Sequence, residues 1–172
     1  MKKQIRYNTF ETNSSSIHTL QISSDLMRKS VLNIESDGYV HVHLNQYYGK
    51  EAEDFVSQED KLKYVCTWMY IYNGCRNLND IDDCYIMSYW QNFVHAFCNY
   101  VNKSNMNNHL PVMCIGIKVY PDNGDEVYDY LDHQSVPYGL YDDDNCVVDL
   151  YNTEQLINFI FNPYMSLHTD CD

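Results

Sequence analysis

The stretch Asp83-Cys-Tyr-Ile-Met-Ser-Tyr-Trp-Gln-Asn-Phe-Val-His-Ala-Phe-Cys-Asn-Tyr-Val-Asn102 decides how the rest of the chain is read. Ile86, Trp90, Phe93, Val94, Phe97 and Val101 recur at steps of three and four, which lays one apolar stripe along an α-helix. The spacing predicts a helix over about 83–102, followed by a loop at Asn102–His109, where Asn, Lys and Ser dominate. Beyond it, Val112-Met-Cys-Ile-Gly-Ile-Lys-Val-Tyr120 is nearly continuous apolar and β-rich, the pattern of a central strand.

Upstream, Ser57-Gln-Glu-Asp60 supplies a cap and acids for a first turn, and Leu62, Val65, Trp68, Met69 and Tyr72 continue at helical spacing to Asn73-Gly74. Cys75–Asp83 reads as a polar connection. Val40, Val42 and Leu44 alternate with His41 and His43, a strand with one buried face. Asp37-Gly38 in front of it is a hairpin signal, with Ser30–Glu35 as the extended partner. Two further strands are expected at Ile5–Phe10 and around Ile17, Leu20 and Ile22. Downstream, Pro121–Gly124 is a turn, Glu126–Leu131 a strand, Pro137–Asn145 an acidic loop and Cys146–Leu150 another strand. Asn152-Thr-Glu-Gln155 resembles a capping box before Leu156, Ile157, Phe159 and Ile160, and Asn162-Pro163 stops that helix. Strands and helices mix without regular alternation or repeats. The reading is one α+β domain over residues 1–172, with a mixed or antiparallel sheet packed against two or three helices.

A chain of 172 residues with 45% hydrophobic and 15% aromatic content, including 17 Tyr, can bury a sizeable core. No apolar run reaches the roughly 18 residues of a membrane span, and Met-Lys-Lys-Gln-Ile-Arg at the start lacks the apolar region of a secretory signal. The expectation is a soluble, cytoplasmic protein. Seven cysteines (66, 75, 84, 98, 114, 146, 171) without Cys-x-x-Cys spacing then read as free thiols, several of them buried.

Charge is unevenly placed. Residues 1–118 hold 12 acids and 11 bases; residues 119–172 hold 12 acids and neither Lys nor Arg, so nearly all of the net −13 lies in the last third. Such a surface repels nucleic acid and attracts a basic groove. Asp122, Asp125, Glu126, Asp129, Asp142, Asp143 and Asp144, interleaved with Tyr128 and Tyr141, form the expected partner-binding set. Carboxylates pair with Arg and Lys, and tyrosines supply rigid contact area. Their spacing does not match an EF-hand loop.

The segment Thr9-Phe-Glu-Thr-Asn-Ser-Ser-Ser-Ile-His18 is a second focus. Asn13 and Ser14–Ser16 favour a turn, since their side chains bond nearby backbone. Glu11 and His18 are expected at the mouth of that turn. With Ser15 and His133 they include the residue types of a nucleophile, a base and an orienting acid, the enzyme alternative for this chain. No nucleophile elbow, phosphate-binding loop or dinucleotide glycine pattern accompanies them. His18, His133, Cys114 and Cys66 are also the candidate ligands for a structural zinc ion. No local pair has zinc-finger spacing, so these four would have to converge from distant segments.

The Phe10–His18 stretch resembles the Phe-Glu-Thr-Asn-Ser-Ser-Ser-x-His opening of small phage and prophage proteins from low-GC Gram-positive bacteria. Tyr130-Leu-Asp-His-Gln-Ser135 is a second place where that family is expected to match; the two patches span about sixteen of 172 residues. Some prophage proteins of this size and acidity are anti-CRISPR inhibitors. The resemblance implies a protein partner, a type II CRISPR effector nuclease, whose basic lobe would be blocked against target DNA.

Overall fold

A computed structural model describes residues 16–23, 32–44, 48, 52–72, 84–107, 112–121, 139–142 and 145–171. In chain order the elements are β1 (Ser16–Ile22), β2 (Tyr39–Leu44), β3 (Glu53–Phe55), α1 (Gln58–Tyr72), α2 (Cys84–Asn107), β4 (Gly116–Pro121), β5 (Gly139–Asp142), β6 (Asn145–Asp149), α3 (Thr153–Phe161) and β7 (Met165–Cys171). The fold is α+β. Five strands form a mixed sheet in the order β3-β7-β1-β5-β6, and β2 pairs with β4 in a separate two-stranded sheet.

β1 is the axis of the larger sheet. It runs antiparallel to β7 from Ser16↔Cys171 to Ile22↔Met165 and parallel to β5 at Thr19↔Tyr141. Side chains alternate across a strand. One face therefore carries the buried row Phe55–Leu167–Leu20, continued by the Leu140↔Val148 pair of β5 and β6. Each such side chain, fully buried, contributes about 1.5–3 kcal/mol.

α1 is more deeply placed than a single apolar stripe implies. Beyond Leu62, Val65, Trp68 and Met69, the side chains of Lys61, Tyr64, Cys66, Thr67 and Tyr70 are also buried. The helix packs on α3 and β2, while α2 packs on α3 and β4. A helix covered on most sides needs no polar face, and so shows little amphipathic periodicity. Its start follows expectation: Ser57 Oγ accepts from the Asp60 N–H at 3.0 Å.

α3 also matches its sequence signals. Asn152 Oδ1 accepts from the N–H groups of Glu154 and Gln155, and Leu156, Ile157, Phe159 and Ile160 are buried. Gln155 does not complete a capping box; its Oε1 accepts from Asp149 N–H at 2.6 Å and ties the helix to the end of β6.

Elsewhere tertiary pairing overrides local pattern. α2 continues to Asn107, so 102–107 is helix rather than loop. Asn102 takes both the C=O and the N–H of Cys114, at 2.9 and 2.7 Å, and Asn105 donates to Val112 O. Polar residues that look like loop thus brace the returning chain. That bracing also consumes ladder groups at Cys114, so the expected central strand at 112–120 shortens to β4. It lies in the small sheet, and Met113 and Ile115 are 68% and 57% exposed. Asp37-Gly38 does turn the chain, with Gly38 at φ +84, but it closes no hairpin. Residues 32–35 form no strand, and β2 pairs parallel with β4, matching Val40 to Ile117 and Val42 to Val119 in the core. A Cβ on Gly38 would stand 3.0 Å from Ile115 Cγ1 and 3.2 Å from Met113 O, on the same side as the bond from Ile115 N–H to Gly38 O.

The acidic loop expected at 137–145 contains β5, because Leu140 docks in the core beside β1. β3 and β7 carry no strong sequence signal; β3 is three residues long at the sheet edge, two of them acidic. The expectations at Ile5–Phe10, Asn73-Gly74, Cys75–Asp83 and Glu126–Leu131 lie wholly or almost wholly outside the described residues.

Lys61 holds the last turn of α3 to the start of β7. Its Nζ donates to Asn162 O at 2.8 Å and Met165 O at 3.0 Å and lies over the Phe159 ring, while burial lowers its pKa to about 8. Lys61→Met removes the ammonium from both carbonyls, leaving Asn162 O only the 3.3 Å bond from Met165 N–H, and should cost about 2 kcal/mol, read as a lower urea midpoint. An unchanged midpoint would show that water or a shifted backbone replaces the ammonium.

Candidate functional site

The five-stranded sheet is built without a cation. Its strands read Glu-Asp-Phe, Met-Ser-Leu-His-Thr-Asp-Cys, Ser-Ile-His-Thr-Leu-Gln-Ile, Gly-Leu-Tyr-Asp and Asn-Cys-Val-Val-Asp. They contain Glu53, Asp54, Asp170, Asp142 and Asp149 but no Lys or Arg. Opposite the core row, the partners Asp54, His168 and Thr19 lie side by side across β3, β7 and β1, with Asp170 two residues along from His168. His168 Nδ1 meets Asp54 Oδ1 at 2.7 Å. β5 and β6 form the other side of the sheet, and Asp142 pairs with Asn145. The lack of Lys and Arg read from the last third therefore holds for β1 and β3 as well, and β3 adds Glu53 and Asp54.

Cations among the described residues are lysines 61, 63, 103 and 118. Lys61 is buried, and Lys118 is held by Asp37 at 2.7 Å and lies 4.1 Å from the Tyr39 ring centroid. This second cluster grows from the parallel register of the small sheet. His41 stands opposite Lys118, and His43 opposite Tyr120. Tyr120 stacks on both imidazoles and its hydroxyl meets His41 Nδ1 at 3.2 Å, while His41 Nε2 lies 3.1 Å from Asp37 Oδ2. His41 and His43 do share a face as their spacing requires, but they serve an aromatic stack. Asp37, Lys118 and Tyr120 are the site residues that sequence reasoning missed. The signal was present: Lys118 and Tyr120 alternate with Ile117 and Val119 as the histidines alternate with Val40 and Val42.

Three of the four expected zinc ligands are described, and they lie in different segments. His18 on β1 is 8% exposed, with Nδ1 3.0 Å from the hydroxyl of Tyr64 on α1. Tyr64 in turn stands edge-on to Tyr48. The Tyr48 hydroxyl is buried without a hydrogen-bond partner among the described residues, and the neighbouring Thr67 hydroxyl donates to Lys63 O. Cys66 is buried in α1, where desolvation pushes its thiol well above the usual range. Cys114 precedes β4, 3.4 Å from Cys98 Sγ. Among the described residues no three His, Cys, Asp or Glu side chains gather as a metal site. His133 lies outside the described residues, as do Glu11, Ser15, Asp122, Asp125, Glu126, Tyr128, Asp129, Asp143 and Asp144. Tyr141 and Asp142 are placed on β5.

No family model, no curated protein and no solved structure matches this chain. Among the described residues no helix is long and apolar enough to cross a membrane.

The bond from Lys118, aided by the Tyr39 N–H, holds the Asp37 carboxyl at about 2 instead of 3.8. A depressed carboxyl contributes stability that is present above pH 3.8 and lost as pH falls through 2. In Lys118→Met the Asp37 carboxyl should titrate closer to 3.8, followed by carboxyl-carbon NMR. A wild-type midpoint already at 3.8 would mean that the pair does not persist in solution.

Proposed function

We propose that this chain is an acidic inhibitor protein that covers a basic, nucleic-acid-handling surface on a protein partner. The observation that carries this reading is the absence of Lys and Arg from residues 119–172, which hold 12 acids, and from all five strands of the main sheet. An ordinary soluble surface intersperses both signs. A continuous negative field instead steers association toward a positive groove and disfavours DNA and RNA.

The resemblance of the Phe10–His18 opening to phage and prophage proteins names the partner class: a type II CRISPR effector nuclease in the bacterial cytoplasm. These enzymes line their channel with Lys and Arg to hold a heteroduplex. Carboxylates and tyrosines seated there compete with the phosphates of target DNA. In this reading Asp142, Asp143 and Asp144 lead, with Asp122, Asp125, Glu126, Asp129, Tyr128 and Tyr141 alongside. The Glu11/Ser15/His18/His133 enzyme alternative gains no support from the buried His18–Tyr64 contact.

Purified chain mixed with RNA-loaded effector should form a complex that takes up less target DNA. Reversing Asp142, Asp143 and Asp144 to Lys should weaken that complex by roughly tenfold or more at low salt, with circular dichroism unchanged. Raising ionic strength should weaken the wild-type complex, because exposed charges are screened within about 8–10 Å. Binding indifferent to both changes would refute the electrostatic reading.

A further inference from the structure

We propose that Cys98 and Cys114 form a reactive dithiol that a hydroperoxide converts to a disulfide, clasping α2 to the segment that leads into β4. Their sulfurs lie 3.4 Å apart, and a disulfide needs about 2.05 Å, so a small movement closes the bond. The two segments are already tied together. Asn102, one turn beyond Cys98 on α2, brackets the N–H and C=O of Cys114, and Asn105 donates to Val112 O just before it. Two cysteines sixteen residues apart are thus held face to face by bonds that do not involve sulfur.

The pair is also polarised. Cys114 Sγ donates toward Gly116 O, which leaves Cys98 S–H to donate to Cys114. That bond draws the Cys114 thiol below its ordinary range and raises Cys98, so Cys114 is the first to become a thiolate. Cys98 and Cys114 are 8% and 2% exposed, and Met113 and Ile115 on either side of Cys114 face solvent, so the pair lies just beneath the surface and a small oxidant reaches it when this segment opens locally. Cys66, buried in α1 with its thiol pushed up by desolvation, lacks this environment.

The chemistry balances in two steps. The Cys114 thiolate attacks the terminal oxygen of a hydroperoxide; the O–O bond breaks, the alkoxide or hydroxide leaves and takes up a proton, and Cys114 carries S–OH. Cys98 sulfur then attacks Cys114 sulfur; the S–S bond forms, the S–O bond breaks, and hydroxide leaves as water with the Cys98 proton. The two thiols lose two electrons and the peroxide gains them.

The test uses the folded full-length chain exposed to dilute hydrogen peroxide, alkylated to block remaining thiols and digested with trypsin. Cleavage after Arg76, Lys103 and Lys118 separates Cys98 in 77–103 from Cys114 in 104–118. The expected product is the two fragments joined and lighter by two hydrogen atoms. Fragmentation should place the link at Cys98 rather than Cys84, and dithiothreitol should reverse it. In Cys98→Ser, which has no resolving thiol, Cys114 should instead be trapped by dimedone. Recovery of Cys98 and Cys114 as alkylated thiols while exposed Cys146 is oxidised overturns the proposal, as does a link through Cys84. Because the wild-type digest needs no substitution, a poorly folding variant does not blur the result.

Discussion

The antiparallel pairing of β1 with β7 is the constraint on which the rest of the structure depends. It joins residues near the two ends of the chain over seven consecutive pairs, and every other strand of the main sheet is added to one side or the other. Non-local pairing of this kind costs loop-closure entropy before any contact offsets it. Lys61 lowers that difficulty locally by binding the carbonyls on both sides of the α3–β7 connection, so β7 leaves α3 in a fixed direction. Leu167 and Leu20 then meet in the same buried core as Trp68 of α1 and Phe159 of α3.

This arrangement gives the charge distribution its shape. A cation-free segment of sequence would mean little if it were spread among unrelated elements. Here it supplies three of five strands, and the two strands from the first half of the chain, β1 and β3, happen also to lack Lys and Arg. The sheet thus concentrates carboxylates without internal compensation. The described lysines with defined partners are occupied elsewhere: Lys61 inside the core and Lys118 against Asp37 and Tyr39.

Elements with strong periodicity were legible in the sequence. The Trp90–Phe93–Phe97–Val101 stripe, the Asn152 cap with Asn162-Pro163, and the Val40/Val42/Leu44 alternation all sit where local physics places them. What was not legible depended on distant partners. Asn102 and Asn105 look like loop residues until Cys114 and Val112 are beside them, and the Met113/Ile115 run looks like a central strand until those side chains face solvent. β7 was hidden because Leu167 and Thr169 make a short alternation diluted by Ser, His and Asp. Of the candidate site, the charge asymmetry was plain in the residues, whereas the joining of its strands to β1 and β3, which also lack Lys and Arg, follows from strand order, which no local pattern encodes. Of the expected zinc set, Cys66 and Cys114 are drawn into separate surroundings, α1 and the Cys98 pair, while His133 lies outside the described residues.

Residue-resolved hydrogen exchange tests the central claim most directly. If β1 and β7 are the axis of the fold, the amides of His18–Gln21 and Ser166–Thr169 that face a partner strand should be among the slowest to exchange, opening only with global unfolding. Fast exchange along β1, with α2 and α3 still protected, would contradict a sheet built on that pairing.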